Sequence, residues 1–286
     1  MRPIGGTTYI CGLIGNPVAH TKSPAIHNFL AEKTGFDLAY GAFPVDTGRL
    51  DEAIPGAFAL GIRGLNVTVP YKQDVISLLA DIDPLAEKIG AVNTLVRTES
   101  GYKGYNTDMP GLHRAMERDG VSVKGEEVII LGAGGVARAA AMMLETAGAA
   151  GVTIMNRNTD RAEELAGSIN EICGRSFARP LSISGYDRLP QDAKYIVIQA
   201  TSVGMHPDTD KAVIEDPEFY KRVKVGYDLI FNPPETKFMK LCKEAGAESY
   251  NGSKMLLYQG IIAYEYWTGL SVDDALADEC YAEVFR

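Results

Sequence analysis

Residues 127–137 read Glu127-Val128-Ile129-Ile130-Leu131-Gly132-Ala133-Gly134-Gly135-Val136-Ala137. Four apolar residues run straight into glycines, and an alanine-rich stretch then continues to Ala147. A strand, a Gly-x-Gly-x-x-Ala turn and a helix in that order are the fingerprint of a dinucleotide-binding unit. Gly132 permits the tight turn, and Gly134 lets the backbone approach a pyrophosphate. Gly135 and Val136 lead into the helix, and Ala137 replaces the third glycine where helix packs on strand. The helix start supplies free N–H groups and the positive end of its dipole to the anion. A flexible glycine loop is the competing reading, and the correct flanks on both sides decide against it.

The next strand, Val152–Met155, chooses the cofactor. An acidic residue at its end would bind the ribose 2′-hydroxyl of NAD, whereas arginine accommodates the 2′-phosphate of NADP. The chain continues Asn156-Arg157-Asn158-Thr159-Asp160-Arg161, so Arg157 stands where the acid would be and Arg161 follows one helical turn on. Two guanidinium groups flanking one turn form a phosphate clamp, which points to NADP. The bland reading makes both arginines solvated, with Asp160 available to pair with one.

Outward from this unit, strand-like and helix-like segments alternate. Strands are expected at Tyr9–Ile14, Leu38–Pro44 and Gly64–Val69, and helices at Pro24–Thr34, Arg49–Leu60 and Gln73–Ala80. Asn93–Thr98 with Gly101–Tyr105 reads as a hairpin, and Pro110–Asp119 as a connecting helix. After Glu127 the strands Tyr195–Gln199 and Val223–Leu229 follow. The alternation predicts an α/β fold of two domains. The first is an N-terminal α/β domain with a mainly parallel sheet, and the second a Rossmann-type dinucleotide-binding domain. The apolar segment Lys254–Thr268 is expected to be a buried helix returning to the first domain. The domains are therefore drawn as 1–107 plus 253–286, and 108–252.

At 286 residues the chain has room for two cores, and its 46% apolar and 23% charged content is that of an ordinary globular protein. A net charge of −9 argues against nucleic acid or an anionic membrane as partner. Cys11, Cys173, Cys242 and Cys280 are far apart without CxxC spacing, which fits free thiols in a cytoplasmic protein. Despite the early Arg2, the run Tyr9–Ile14 is too short for a signal-peptide core, and no stretch reaches transmembrane length. No metal-ligand pattern is evident. A monomer and a homodimer fit equally well.

Three apolar runs end on Asn/Thr pairs, in Asn66-Val67-Thr68-Val69-Pro70-Tyr71-Lys72, Ala91-Val92-Asn93-Thr94-Leu95 and Gly104-Tyr105-Asn106-Thr107-Asp108. Amides and hydroxyls at strand ends, with one lysine and one aspartate among them, suit a small hydroxylated ligand. Read alone, Lys72 is a surface lysine and Asp108 a cap for the helix near Pro110. Ser23, before Pro24, is a natural helix cap as well. His20 and His27 read as structural.

Taken together, these motifs resemble the shikimate dehydrogenase family along nearly the whole chain. Gly15 through Pro24 with His27-Asn28 is similar to that family's substrate signature, and the three Asn/Thr segments match its other pocket motifs. Ala200-Thr201-Ser202-Val203-Gly204 and Gly252 through Gln259 match motifs of its second half. The resemblance implies reversible reduction of 3-dehydroshikimate to shikimate by NADPH, in aromatic amino-acid biosynthesis. It implies Lys72 as the acid/base group with Asp108 beside it. Thr21 and Ser23 would hold the substrate carboxylate, and Asn66, Asn93, Asp108 and Gln259 its ring hydroxyls, with Thr68 lining the pocket. Thr201, Ser202, Leu229, Gly252 and Met255 would join the glycine turn and Asn156 on the cofactor side. Four positions depart from the pattern. Thr21 stands where serine is common, Phe231 where tyrosine is usual, Gln199 for asparagine and Lys254 for glycine. A quinate/shikimate dehydrogenase using NAD, or a non-catalytic NADP-binding regulator, remains open at this point.

Overall fold

The computed structural model describes residues 3–286, so Arg2 lies outside the described residues. The chain divides into two compact units, one running to Gly111 and resuming at Leu257, the other spanning Leu112–Leu256.

The first unit contains β1 (Tyr9–Gly15), α1 (Ser23–Thr34), β2 (Leu38–Pro44), α2 (Leu50–Ala59), β3 (Gly64–Val67), β4 (Asp81–Ile82), α3 (Pro84–Ile89), β5 (Thr94–Arg97) and β6 (Tyr102–Tyr105). The helix α4 (Asp108–Arg118) begins in it. Its strands form one sheet in the order β2-β1-β3-β5-β6-β4, antiparallel only at β3/β5 and β5/β6. Ile14, Leu65, Val67, Val75, Leu95 and Tyr102 form the centre of its core.

The expected helix at Gln73–Ala80 is not there. Asp74–Leu78 makes a 3₁₀ turn instead, with Val75 its only buried residue. One buried side chain cannot hold an α-helix against the core. The chain is drawn instead to β6, where Ala80 N donates to Tyr102 O at 2.9 Å and Asp83 N to Gly104 O at 2.8 Å. The strand expected as far as Val69 stops at Val67, because Tyr71 N turns back to Thr68 O at 3.0 Å.

The second unit holds β7 (Glu127–Leu131), α5 (Gly135–Thr146), β8 (Gly151–Asn156), α6 (Thr159–Cys173), β9 (Ala178–Ser182), β10 (Tyr195–Gln199), α7 (Pro217–Tyr220), β11 (Val223–Asp228), α8 (Lys237–Glu244) and β12 (Glu248–Tyr250). All its strands pair in parallel in the order β12-β11-β10-β7-β8-β9. The order reverses between β7 and β10, the switch point where doubly wound sheets take their ligands. Val128, Ile129, Ile130 and Leu131 are wholly buried, as a strand covered on both faces requires.

The last helices are α9 (Ser253–Thr268) and α10 (Asp274–Val284). From Leu257 onward α9 belongs to the first unit. There Trp267 Nε1 donates to Leu95 O at 2.9 Å, and a Cβ on Gly64 would fall 2.0 Å from that indole nitrogen. Glycine on β3 is what lets the indole lie across the strand. Among the described residues no helix is long and apolar enough to cross a membrane.

Candidate active site

Lys72 lies in the turn after β3, and its carbonyl accepts from Val92 N at 2.8 Å. The preceding Tyr71 is buried and donates its hydroxyl to Val45 O at 2.8 Å, which pins the turn from below. Lys72 Nζ lies 2.7 Å from Asp108 Oδ2, and the two side chains keep 26% and 12% exposure. The pair therefore faces an opening, not the core. Two hydrogens of the ammonium and the second carboxylate oxygen remain for a ligand.

Asp108 is the first residue of α4, but it does not cap the helix. Asn106 does, since its Oδ1 accepts from Asp108 N at 3.1 Å and Met109 N at 3.3 Å. The aspartate is thus left for Lys72. Ser23 likewise is a helical residue of α1 rather than its cap. Lys22 holds the cap position without a side-chain bond, and Ser23 N donates to Thr21 Oγ1 at 3.2 Å.

The amides at the strand ends are oriented by their neighbours. Asn93 Oδ1 accepts from Thr107 N at 2.8 Å and from the hydroxyls of Thr94 and Thr107 at 3.1 Å each. Its Nδ2 has no protein partner among the described residues, so Asn93 presents a donor. Asn66 is the reverse case. Its Nδ2 donates to Asn93 O at 3.3 Å and Thr94 Oγ1 at 3.1 Å, while Oδ1 accepts from Tyr40 Oη at 2.7 Å. One lone pair of Oδ1 is left as an acceptor. Thr21 Oγ1 donates to Ser23 Oγ at 3.1 Å. Thr68 N is fixed to Ile14 O at 2.9 Å, and glycine at position 15 is needed because a Cβ there would fall 2.3 Å from Thr68 Cγ2. Gln259 is buried on α9, and a Cβ on Gly111 would fall 2.7 Å from its backbone nitrogen. All these side chains belong to the first unit.

In the second unit, Gly132 has a φ of +116°, and a Cβ there would meet Thr201 Cγ2 at 2.8 Å and Ala200 O at 2.9 Å. Gly134 and Gly135 differ, since a Cβ on either meets no protein atom within 4 Å. Protein packing does not explain them, and the open space fits a pyrophosphate laid against the start of α5. Val136 is 37% exposed at that start, and Ala137 is fully buried against the sheet. Asn158 caps α6 through Asp160 N at 3.0 Å and Arg161 N at 3.4 Å, and Asn156 Nδ2 closes the turn on Asn158 O at 2.9 Å. Arg157 and Arg161 are exposed, and neither guanidinium has a partner among the described residues. Asp160 does not claim one.

Profile comparison matches residues 13–95 to "Shikimate dehydrogenase substrate binding domain" and residues 114–202 to "Shikimate / quinate 5-dehydrogenase". A shikimate dehydrogenase (NADP(+)) of Methanosarcina barkeri is 42% identical over 91% of this chain and 93% of its own length. The chain belongs to the shikimate dehydrogenase family. A solved shikimate dehydrogenase in complex with NADP+ superposes with a TM-score of 0.90 at 36% identity, over 99% of this chain and 98% of that one. A quinate dehydrogenase from Corynebacterium glutamicum in complex with NAD gives 0.87 at 30% identity, over 96% and 99%.

The positions that depart from the shikimate dehydrogenase pattern each have a structural setting. Gln199 is wholly buried, and its Oε1 accepts from Thr201 N at 2.6 Å and Thr201 Oγ1 at 2.7 Å. Its Nε2 donates to Val203 O at 3.2 Å and Asp228 Oδ1 at 3.3 Å. The longer amide thus organises the whole 199–203 loop and leaves Ser202 exposed. Burial pushes the Asp228 carboxyl up to about 6, against the hydrogen bonds of Thr236, Ile230 and Gln199. Lys254, in the first turn of α9, pairs with the buried carboxylate of Asp119, which also accepts from Tyr227 Oη at 2.9 Å. Leu229 and Gly252 touch backbone to backbone, since a Cβ on Gly252 would lie 2.2 Å from Leu229 O. Met255 is buried next to Lys254, and Phe231 is half-buried after β11. Tyr40, Thr94, Thr107 and Asn106 complete the network. Thr94, Asn106 and Thr107 stood within the quoted Asn/Thr pairs, whereas Tyr40 carried no motif signal and escaped the sequence reading.

Proposed function

We propose that this chain catalyses the reversible, NADP-dependent interconversion of 3-dehydroshikimate and shikimate in aromatic amino-acid biosynthesis. The observation that carries the reading is the Lys72–Asp108 pair at 2.7 Å, partly exposed, in the same unit as the oriented amides of Asn66 and Asn93. The first unit takes the substrate and the second the nucleotide.

The nucleotide supplies or takes the hydride when bound, held by the Gly132–Ala137 turn with Arg157 and Arg161 on its 2′-phosphate. The chain's own task is the proton. Reduction of a ketone turns its oxygen into a hydroxyl, and Lys72 Nζ donates the proton that this oxygen requires. In the other direction the neutral amine of Lys72 takes the proton from the hydroxyl. Asp108 orients the ammonium through Oδ2 and accepts a substrate hydroxyl at its other oxygen. Asn93 donates to a ring oxygen and Asn66 accepts from a ring hydroxyl, so the site reads the direction of each hydrogen bond. Thr21 and Ser23 offer hydroxyls to the carboxylate, and Thr68 and Gln259 line the same pocket.

The test is oxidation of shikimate or quinate with NADP+ or NAD+, followed by absorbance of the reduced nucleotide. Turnover is expected with shikimate and NADP+. Turnover only with quinate and NAD+ assigns the chain to catabolism instead, and none in any combination makes it a binding protein.

A further inference from the structure

Tyr40 sits in the middle of β2, in a stretch that reads as plain core strand. Its side chain is held at every polar atom and along its ring. Asn28 brackets the backbone, accepting from Tyr40 N at 2.9 Å and donating to Tyr40 O at 3.0 Å. The ring stacks on His27 with centroids 4.2 Å apart, and Trp267 lies 5.9 Å away on the same cluster. Burial raises the phenol well above its usual pKa, and the Ser23 hydroxyl beside its oxygen offsets that in part. Such a phenol keeps its hydrogen at any working pH, and that hydrogen goes to Asn66 Oδ1 at 2.7 Å.

Through Asn66 the Tyr40 hydroxyl is joined to the strand-end network. Asn66 Nδ2 donates to Thr94 Oγ1 at 3.1 Å, and Thr94 in turn reaches Asn93 Oδ1 and Thr107 Oγ1, each at 3.1 Å. Both hydrogens of Asn66 Nδ2 are committed, so a fixed donor at Oδ1 leaves one lone pair at one angle for a ligand.

We propose that Tyr40 is a positioning residue that fixes Asn66, and through it the ring-hydroxyl end of the substrate site. The inference rests on the reading of Thr21, Ser23, Asn66 and Asn93 as ligands of shikimate. The Tyr40 hydroxyl is committed to Asn66 and its ring to His27, so its effect falls on substrate affinity and not on the chemical step.

Tyr40→Phe removes one oxygen and keeps the ring on His27. The KM for shikimate is expected to rise about tenfold, the cost of a buried amide oxygen losing its donor, with kcat and the KM for NADP+ within twofold of wild type. In Tyr40→Phe/Asn66→Ala the combined rise in shikimate KM is expected to fall short of the product of the two single rises, because both act through Asn66. An unchanged shikimate KM, a matching rise in the NADP+ KM, or fully multiplicative effects in the double variant overturns the inference. A wild-type enzyme that fails to oxidise shikimate overturns the functional reading and takes the inference with it.

Discussion

His27 is wholly buried, and neither ring nitrogen makes a hydrogen bond of normal geometry among the described residues. Burial pushes its pKa down to about 3, although nearby Asn66 works slightly the other way. The unfolded chain titrates near 6.5, so between those values it binds a proton that the folded chain refuses. Stability from this group is full above about 6.5 and is lost as pH falls towards about 3. Thermal unfolding of His27→Phe between pH 4 and 7 should therefore show a shallower loss on the acid side than wild type. An unchanged slope would contradict the assignment. Arg157 makes a different prediction at the same scale. Its guanidinium has no protein partner among the described residues, so Arg157→Ala should raise the KM for NADP+ roughly 10–100-fold, the value of a charge-assisted hydrogen bond. The KM for NAD+ should stay within about threefold, and equal loss for both nucleotides would remove Arg157 from the 2′-phosphate. Arg157 was expected from its place at the end of the strand after the glycine turn, and Lys72 and Asp108 from the family resemblance, since each alone reads as a surface lysine or a cap. Tyr40 was not. A tyrosine in a strand has the appearance of core, and its partner Asn66 lies 26 residues away.

Among the elements, α4 and α9 each carry one of the proposed substrate ligands, Asp108 opening the first and Gln259 lying on the second. They approach at Gly111, where a Cβ would fall 2.7 Å, 2.8 Å and 2.9 Å from the nitrogen, Cβ and Cα of Gln259. Backbone atoms cannot yield as a flexible side chain does, so Gly111→Ala must displace α9 locally. Overpacking of this kind costs about 1–3 kcal/mol. The melting temperature should drop by several degrees and the shikimate KM should rise severalfold, with NADP+ binding retained. A variant with wild-type melting and KM would show that the approach is looser than drawn. The main strands and most long helices could be read from periodicity. The short α3, β4, β12 and the 3₁₀ turn at Asp74–Leu78 could not, because pairing of the 80–83 backbone with β6, not local propensity, decides that segment. The cap of α4 also turns on a long-range contact, since Asn106 and Asp108 are both good caps by type and the pairing of Asp108 with Lys72 separates them.

Over the whole molecule, two sheets with separate cores match the alternation of segments in the chain, and the glycine turn announced the second. The sequence breaks at 107/108 and 252/253 and the structural breaks after Gly111 and Leu256 both fall at or within α4 and α9, so neither helix is interrupted. A net charge of −9 coexists with exposed, unpaired arginines at the proposed phosphate clamp, so local placement outweighs the global sign for an anionic ligand. Lys72 is the proposed proton donor of this NADP-dependent shikimate dehydrogenase. The decisive measurement is Lys72→Ala assayed beside wild type for oxidation of shikimate by NADP+. Turnover should fall about 10²–10⁴-fold while the circular dichroism and the melting shift induced by NADP+ stay as in wild type. A folded variant that retains near-normal kcat would contradict that role.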